Sequence, residues 1–346
     1  MRKIKYTIII TLCFGVALFP CFCKAEEALP DIVILYTGDG LGNIEPIGCC
    51  SKMGGMARRA TRIHQLRQFY KQVLLLDAGD CIAKKANGPY VSIQMAHIYN
   101  AFTIMQYDAL NIADGEVALM SEFQRIFLSD SAIPVISANI MDTQQDKSIW
   151  PPYIIKKIGG VRVAIIGVVA QRLFESQLPE NLSLSEPITV LKDQLPDIRK
   201  KSDVVILLSH LGWEASRQIV KDIPDIDISI VGHDYTYPHF EPETVGNTLM
   251  VKNTNGGGTL GVIKIWMDKK KNINRRESAF EILSFSMQPM AEYTEIESKY
   301  KEDITAVKKQ EEEEKVKEEM NTYLKLSPEQ FIEQMKKENR LLINQE

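Results

Sequence analysis

The sequence predicts a layered α/β fold, and three observations carry that prediction. Apolar strand-like runs alternate with amphipathic helical ones from residue 31 to about residue 284, the pattern of sheets covered by helices. Five of these runs read as short buried strands: IVILYTG, VLLLDAG, ALNIA, VVILLS and ISIVG. Each leads into a residue able to ligate a metal, namely Asp39, Asp80, Asp114, His210 and His233. Ligands of open α/β sheets gather beyond the carboxyl ends of the strands, so side chains remote in sequence can converge there. Three Asp and two His suit one or two divalent cations.

The elements follow in order. Residues 1–25 read as an export signal, with Arg2, Lys3 and Lys5 before an apolar run too short to span a membrane comfortably. A small-residue cleavage site at Ala25 competes with a lipid anchor on Cys21 or Cys23, which Pro20 and Phe22 disfavour. Residues 57–71 then predict a helix, since Ala60, Ile63 and Leu66 share one face. Helices are expected likewise over 116–127, 190–201 and 214–221. Further strands are expected near 134–140, from 161, from 248 and from 260. Asn255 and the three glycines after it, between the last two strands, predict a loop or hairpin turn rather than a phosphate cradle.

After about residue 290 the composition changes. The run KKQEEEEKVKEE, residues 308–319, predicts a solvated helix or a disordered spacer. Ser327, Pro328 and Gln330 form an N-cap, a first-turn proline and a capping-box partner. Phe331 and Met335 follow at helical spacing, with Leu341 and Leu342 beyond. A helix packing on the domain or on a partner is expected, the partner unspecified. The domains expected are therefore a signal at 1–25, a catalytic-type domain at 26–285 and a charged helical extension at 286–346.

Composition excludes little. The chain of 346 residues is 45% hydrophobic and 25% charged with a net charge of −4, which gives no sign of a nucleic-acid partner. Once the signal is removed, no membrane span is expected. Of six cysteines, Cys49, Cys50 and Cys81 lie outside the signal. An exported chain permits a disulfide. Adjacent Cys49 and Cys50 would strain the backbone if bridged, so Cys81 with either one is the expected pair. A thiolate acting as a metal ligand is the alternative.

The motifs at the strand ends resemble those of the 5′-nucleotidase and UDP-sugar hydrolase family of metallophosphoesterases, over about residues 31–285. YTGDGLGNIEP, from Tyr36, is similar to the family's opening H-T-N-D-x-H-G segment, and GGMARRAT, from Gly54, to its G-G-x-A-R-x-A helix start. LLLDAGD, NIADGE, VISANI, SHLG and VGHDY follow in the family's order. The resemblance implies a calcineurin-like four-layer α/β/β/α sandwich with a helical tail. It also implies a divalent cation (Zn, Mn or Mg) and a small phosphorylated substrate.

Carried over residue by residue, the resemblance gives Asp80, Asp114, His210 and His233 as one complete metal position, with Asp114 standing for the family's Asn. Asp39 and Asp80 remain of a second, whose other ligands are replaced by Leu41 and Tyr235. The family's transition-state His and its supporting Asp are replaced by Gly115 and Ala118, so no catalytic side chain is assigned. Apart from the resemblance, each Asp could equally be a turn residue after a strand. His64, His97 and His239 are expected to be structural or on the surface. Arg58 and Arg59 are expected on a solvated or salt-bridged face, with contact to an anionic substrate as the alternative. The function expected is a metal-dependent phosphate-ester hydrolase of weak or altered activity, exported to the periplasm or beyond. A catalytically inactive binding or scaffold protein is the alternative.

Overall fold

The computed structural model describes residues 28–49, 52–83, 88, 90–128, 132–174, 178–234 and 241–337. The signal, Cys50, Tyr235, His239, Leu341 and Leu342 lie outside the described residues. Two six-stranded sheets form the centre of the molecule. The first runs, edge to edge, β15 (Ile273–Ile282), β14 (Thr259–Met267), β1 (Ile32–Thr37), β2 (Val73–Asp77), β3 (Ala109–Asn111) and β4 (Val135–Ile136). The second runs β12 (Glu243–Val245), β13 (Thr248–Lys252), β11 (Ile228–Val231), β10 (Val204–His210), β8 (Val161–Val169) and β7 (Tyr153–Ile158). A small sheet of β6 (Lys147–Ser148), β5 (Ile140–Asp142) and β9 (Leu182–Leu184) lies apart from them.

Period-two side-chain alternation builds the layers. Ile32, Ile34 and Tyr36 of β1 face Val163, Ile165, Ile206 and Ile230 of the other sheet, whereas Val33 and Leu35 face the opposite way, into a helix-covered core. Gly261, opposite Tyr36 in the β1–β14 pair, makes room for that ring: a Cβ there would come within 2.0 Å of Tyr36 Cζ. On the outer side of the first sheet pack α1 (Met56–Phe69), α2 (Tyr90–Met105) and α4 (Met120–Phe127). On the outer side of the second pack α5 (Pro187–Lys201) and α6 (Trp213–Asp222). The four-layer α/β/β/α sandwich is the expected architecture.

Several elements differ from expectation. The helix expected over 116–127 is broken into α3 (Asp114–Ala118) and α4, with Leu119 non-helical between them. The turn at 255–258 is not a hairpin, because β13 belongs to the second sheet and β14 to the first. It carries the chain across the sandwich instead. Helix α2 and strand β15 have no clear sequence signal.

Helix α7 (Ala291–Tyr323) and helix α8 (Pro328–Lys337) form the tail. Residues 308–319 are thus helical and solvated, with pairs such as Lys309–Glu313 at i,i+4 spacing. The first turns of α7 dock on α1 and α2: Ile296 is buried, Glu297 accepts the Ala57 N–H at 3.0 Å, and His97 meets Asp303 at 2.8 Å. The capping box at Ser327 forms, its Oγ accepting from the Gln330 N–H while Gln330 Oε1 accepts from the Ser327 N–H. Helix α8 meets the end of α7 through an edge contact of Phe331 on Tyr323. Among the described residues, no helix is long and apolar enough to cross a membrane.

Candidate metal centre

The parallel strands β2, β3, β10 and β11 all point the same way, so their carboxyl ends open on one crest of the sandwich. There Asp80, Asp114, His210 and His233 each offer a ligand atom, all within 4.8 Å of one another. His210 closes β10, Asp114 opens α3, and Asp80 and His233 lie on the turns after β2 and β11. Asp39, Asp80 and His233 hold positive φ angles of 49°, 56° and 57°, a region non-glycine residues seldom adopt and which gathers at functional sites.

Asp39 stands beside the group rather than in it. Both of its carboxylate oxygens accept from the His233 backbone N–H at 3.1 Å, and its own carbonyl accepts from Gly256 at 2.7 Å. Asp39 therefore fixes the turn that presents His233 and links it to the crossing turn between the sheets. The Leu41 N–H donates to the Asp80 carbonyl at 2.9 Å, which ties its loop to that of Asp80.

The support beneath the four comes partly from motif residues, Asn111 and Glu116 of NIADGE and Asp234 of VGHDY, to which the sequence assigns no role. His210 Nδ1 lies 3.0 Å from the Ala78 carbonyl. A carbonyl only accepts, so Nδ1 carries a proton and Nε2 is the nitrogen turned toward the carboxylates. Asn111 donates to the same carbonyl and to that of Val168. Glu116, fully buried, accepts from the N–H groups of Asp80, Cys81, Ile82 and Ala113 at 2.8–3.4 Å. Its carboxylate thus shapes the Asp80 loop and the start of α3 together. Lys252 and Asp234, both nearly buried, pair at 2.8 Å behind His233, with the ammonium over the Trp213 ring. The place of Glu116 at the end of NIADGE is the available signal, while its role as acceptor for four backbone N–H groups is seen only in the fold.

Burial and mutual repulsion among the carboxylates set the electrostatics of this crest. Burial pushes Asp39 up to about 7, with the charge of Asp80 adding to it and that of His210 opposing it. Glu116 is likewise pushed up to about 7, by burial and then by Asp80. Burial works against a charge on His210, but Asp80, Asp114 and Asp39 together raise it well above the usual histidine range. His233 is lowered, by burial and then by the charge of His210. One proton is thus drawn into a pocket of carboxylates that a cation would fill better.

The donor set fits a divalent cation. His210 Nε2 is buried, has no hydrogen-bond partner, and lies 3.4 Å from Asp80 and 3.5 Å from Asp114. His233 Nδ1 lies 3.6 Å from the same Asp114 oxygen. Donors sharing one ion at roughly 2.1 Å would sit about this far apart. The Nδ1 hydrogen bond that turns Nε2 inward is the arrangement found behind metal-bound imidazoles.

Other expected residues do not join the site. Cys81 is buried with a free thiol, so among the described residues the expected disulfide to Cys49 is absent, and Cys50 lies outside them. Burial pushes that thiol well up, and its side chain packs in the apolar core rather than among the ligands. Arg59, expected on a solvated face, is 2% exposed. Its guanidinium reaches the Tyr107 hydroxyl and the Gly257 carbonyl at 3.5 Å each, beside a buried chain of Thr37, Asp77 and Tyr107. Arg58 donates to the Met287 and Gly54 carbonyls. His64 meets Gln68 and Tyr293, and so plays the structural part expected of it.

At Gly115 the change is more than a lost side chain. Its N–H donates to Asp80 at 2.8 Å, and a Cβ there would come within 2.0 Å of the Ile82 carbonyl oxygen. Backbone fills the space a side chain would need. Ala118 lies on the last turn of α3, half-buried.

No protein-family model matches the chain. The 5′-nucleotidase of Bos taurus is 27% identical over 280 residues, covering 70% of this chain and 48% of that protein. The 5′-nucleotidase precursor of Thermus thermophilus superposes with a TM-score of 0.71 at 21% identity, over 80% of this chain and 59% of that one. A calcineurin-like phosphoesterase of Bacillus subtilis superposes at 0.67 and 20% identity, over 79% of this chain and 97% of that one. The chain spans about half the length of the curated relatives it matches. Over the portion that carries the two sheets, the chain is similar in sequence to 5′-nucleotidases and shares its fold with 5′-nucleotidases and calcineurin-like phosphoesterases.

Proposed function

We propose that the chain is an exported protein that binds one divalent cation, Zn, Mn or Mg, and hydrolyses phosphate esters weakly or with altered specificity. The observation that carries this reading is the buried, unpartnered Nε2 of His210, aimed at Asp80 and Asp114. A cation there supplies charge to polarise a phosphoryl oxygen and acidify a water. The chain's own part is to hold the ligands: Ala78 orients His210, Glu116 shapes the Asp80 loop, and Asp39 presents His233. With Asp39 remaining from a second position, one cation is the expected stoichiometry. We read residues 1–25 as the signal, 26–285 as the catalytic-type domain and 286–346 as its helical extension.

Gly115 supports a second reading, a family member that keeps the cation for binding or stability and performs no turnover. Losing a positioned proton donor costs about 10²–10⁴ in rate, and the closed space at Gly115 offers no place for one. Metal content of the purified mature protein, measured beside turnover of a panel of phosphate esters, separates the two. Absence of both metal and turnover overturns the first reading. Turnover that His210→Ala abolishes overturns the second.

A further inference from the structure

Behind the metal centre, on the outer face of the second sheet, lies a cavity of about 930 Å³. Its wall is mostly aliphatic, with Leu182, Leu184, Ile188, Leu211 and Ile219 facing the space. One cation, Arg172, and one carboxylate, Glu186, stand on that wall. This size and lining are those of a site for a small organic molecule.

The cavity is joined to the centre by backbone. Leu211, on its wall, directly follows His210, and Ala170, also on the wall, donates its N–H to the His210 carbonyl at 3.2 Å. Arg172 Nη2 donates to the Leu211 carbonyl at 2.7 Å. A Cβ on Gly212 would lie 3.2 Å from that nitrogen and 3.1 Å from the His233 carbonyl, so the guanidinium stands next to the His233 turn. One positive group therefore sits between the ligand-bearing turn and an aliphatic space.

We propose that this cavity receives the organic group of the substrate, an aliphatic phosphate monoester, whose phosphate is shared by Arg172 and the metal centre. The proposal rests on the hydrolase reading above and names its substrate class. The apolar surface named on this wall comes from alkyl side chains, which match an alkyl group of the substrate. Aliphatic chain length, not base identity, sets affinity.

Alkylphosphonates, which carry the charged head but resist hydrolysis, test this by titration calorimetry on the full mature chain, zinc-loaded and zinc-stripped. From methyl to octyl, the dissociation constant of the zinc-loaded protein is expected to fall roughly fourfold per added methylene until the cavity is filled. Adenosine monophosphate is expected to bind no more tightly than the butyl compound. Ala215→Trp, on the cavity wall, is expected to flatten the series, and Arg172→Gln to weaken every member by a similar factor. A flat series in zinc-loaded wild type overturns the proposal, as does adenosine monophosphate binding more tightly than octylphosphonate. A steep series in a protein that takes up no zinc overturns the hydrolase reading and the sharing of the phosphate, while leaving the cavity's preference standing. The wild-type series decides these points even where Ala215→Trp fails to fold.

Discussion

The candidate metal group and the Gly115 position lie on the same crest and share the Asp80 loop, yet they are packed in opposite ways. At the first, the Ala78 carbonyl, which also accepts from Asn111, orients His210, and Glu116 accepts from the Asp80 backbone N–H. At the second, the same loop has closed over the place where a side chain would project, with the Ile82 carbonyl in the way. Glu116 serves both, since it pins Asp80, Cys81 and Ile82 at once. The packing that holds the candidate cation group is therefore the same packing that fills the space at Gly115.

The largest expected effect comes from removing the shared support. Glu116→Ala leaves several buried N–H groups without an acceptor, at about 1–3 kcal/mol each when unsatisfied. A loss of roughly 3–5 kcal/mol of stability is expected in chemical denaturation, together with weakened cation binding. A near-neutral result would break the claim that one carboxylate builds both regions. Next, His210→Ala is expected to lower cation affinity by more than the roughly 10–100-fold typical of residues behind the ligands. Cation at a hundred times its Kd should stabilise the wild type by about 2.7 kcal/mol. That gain should vanish in the variant, as read from the shift in Tm on adding metal or a chelator.

Gly115→His tests the closed region directly. Overpacking against the Ile82 carbonyl should cost about 1–3 kcal/mol, with no rise in turnover. A stable variant with raised hydrolysis would show that the space can reopen. The smallest effect is expected from Leu41→His, which returns an imidazole beside Asp39. Leu41 already has a φ of 50°, a conformation histidine holds more readily than leucine, so stability should change little. Metal titration should show at most a second, weaker cation, and two tight ones would mean that the second position was lost through Leu41 alone.

Much of the centre was legible because strand ends in a parallel sheet converge, so residues after apolar runs are brought together whatever their separation in sequence. Asp80, Asp114, His210 and His233 follow that rule. The capping box at Ser327 was legible for a local reason, since its partners are three residues apart. Arg59 was not: one turn of an amphipathic helix does not say whether its arginine faces water or a buried hydroxyl. The turn at 255–258 read as a hairpin option because two apolar runs flank glycines, but sheet membership is a non-local choice. Cys81 directly follows a ligand, yet its side chain points the other way, into the helix-covered core.

By itself the sequence determined the layered α/β architecture and the candidate ligands, because apolar periodicity and strand-end position are local properties of the chain. Only the tertiary structure decided which donors share one space, that Asp39 serves as an acceptor for the His233 turn, and that Gly115 marks a volume already filled. Those facts depend on loops packing against one another from different strands, and no spacing along the chain encodes the distance between an Ile82 carbonyl and a side chain that is not there.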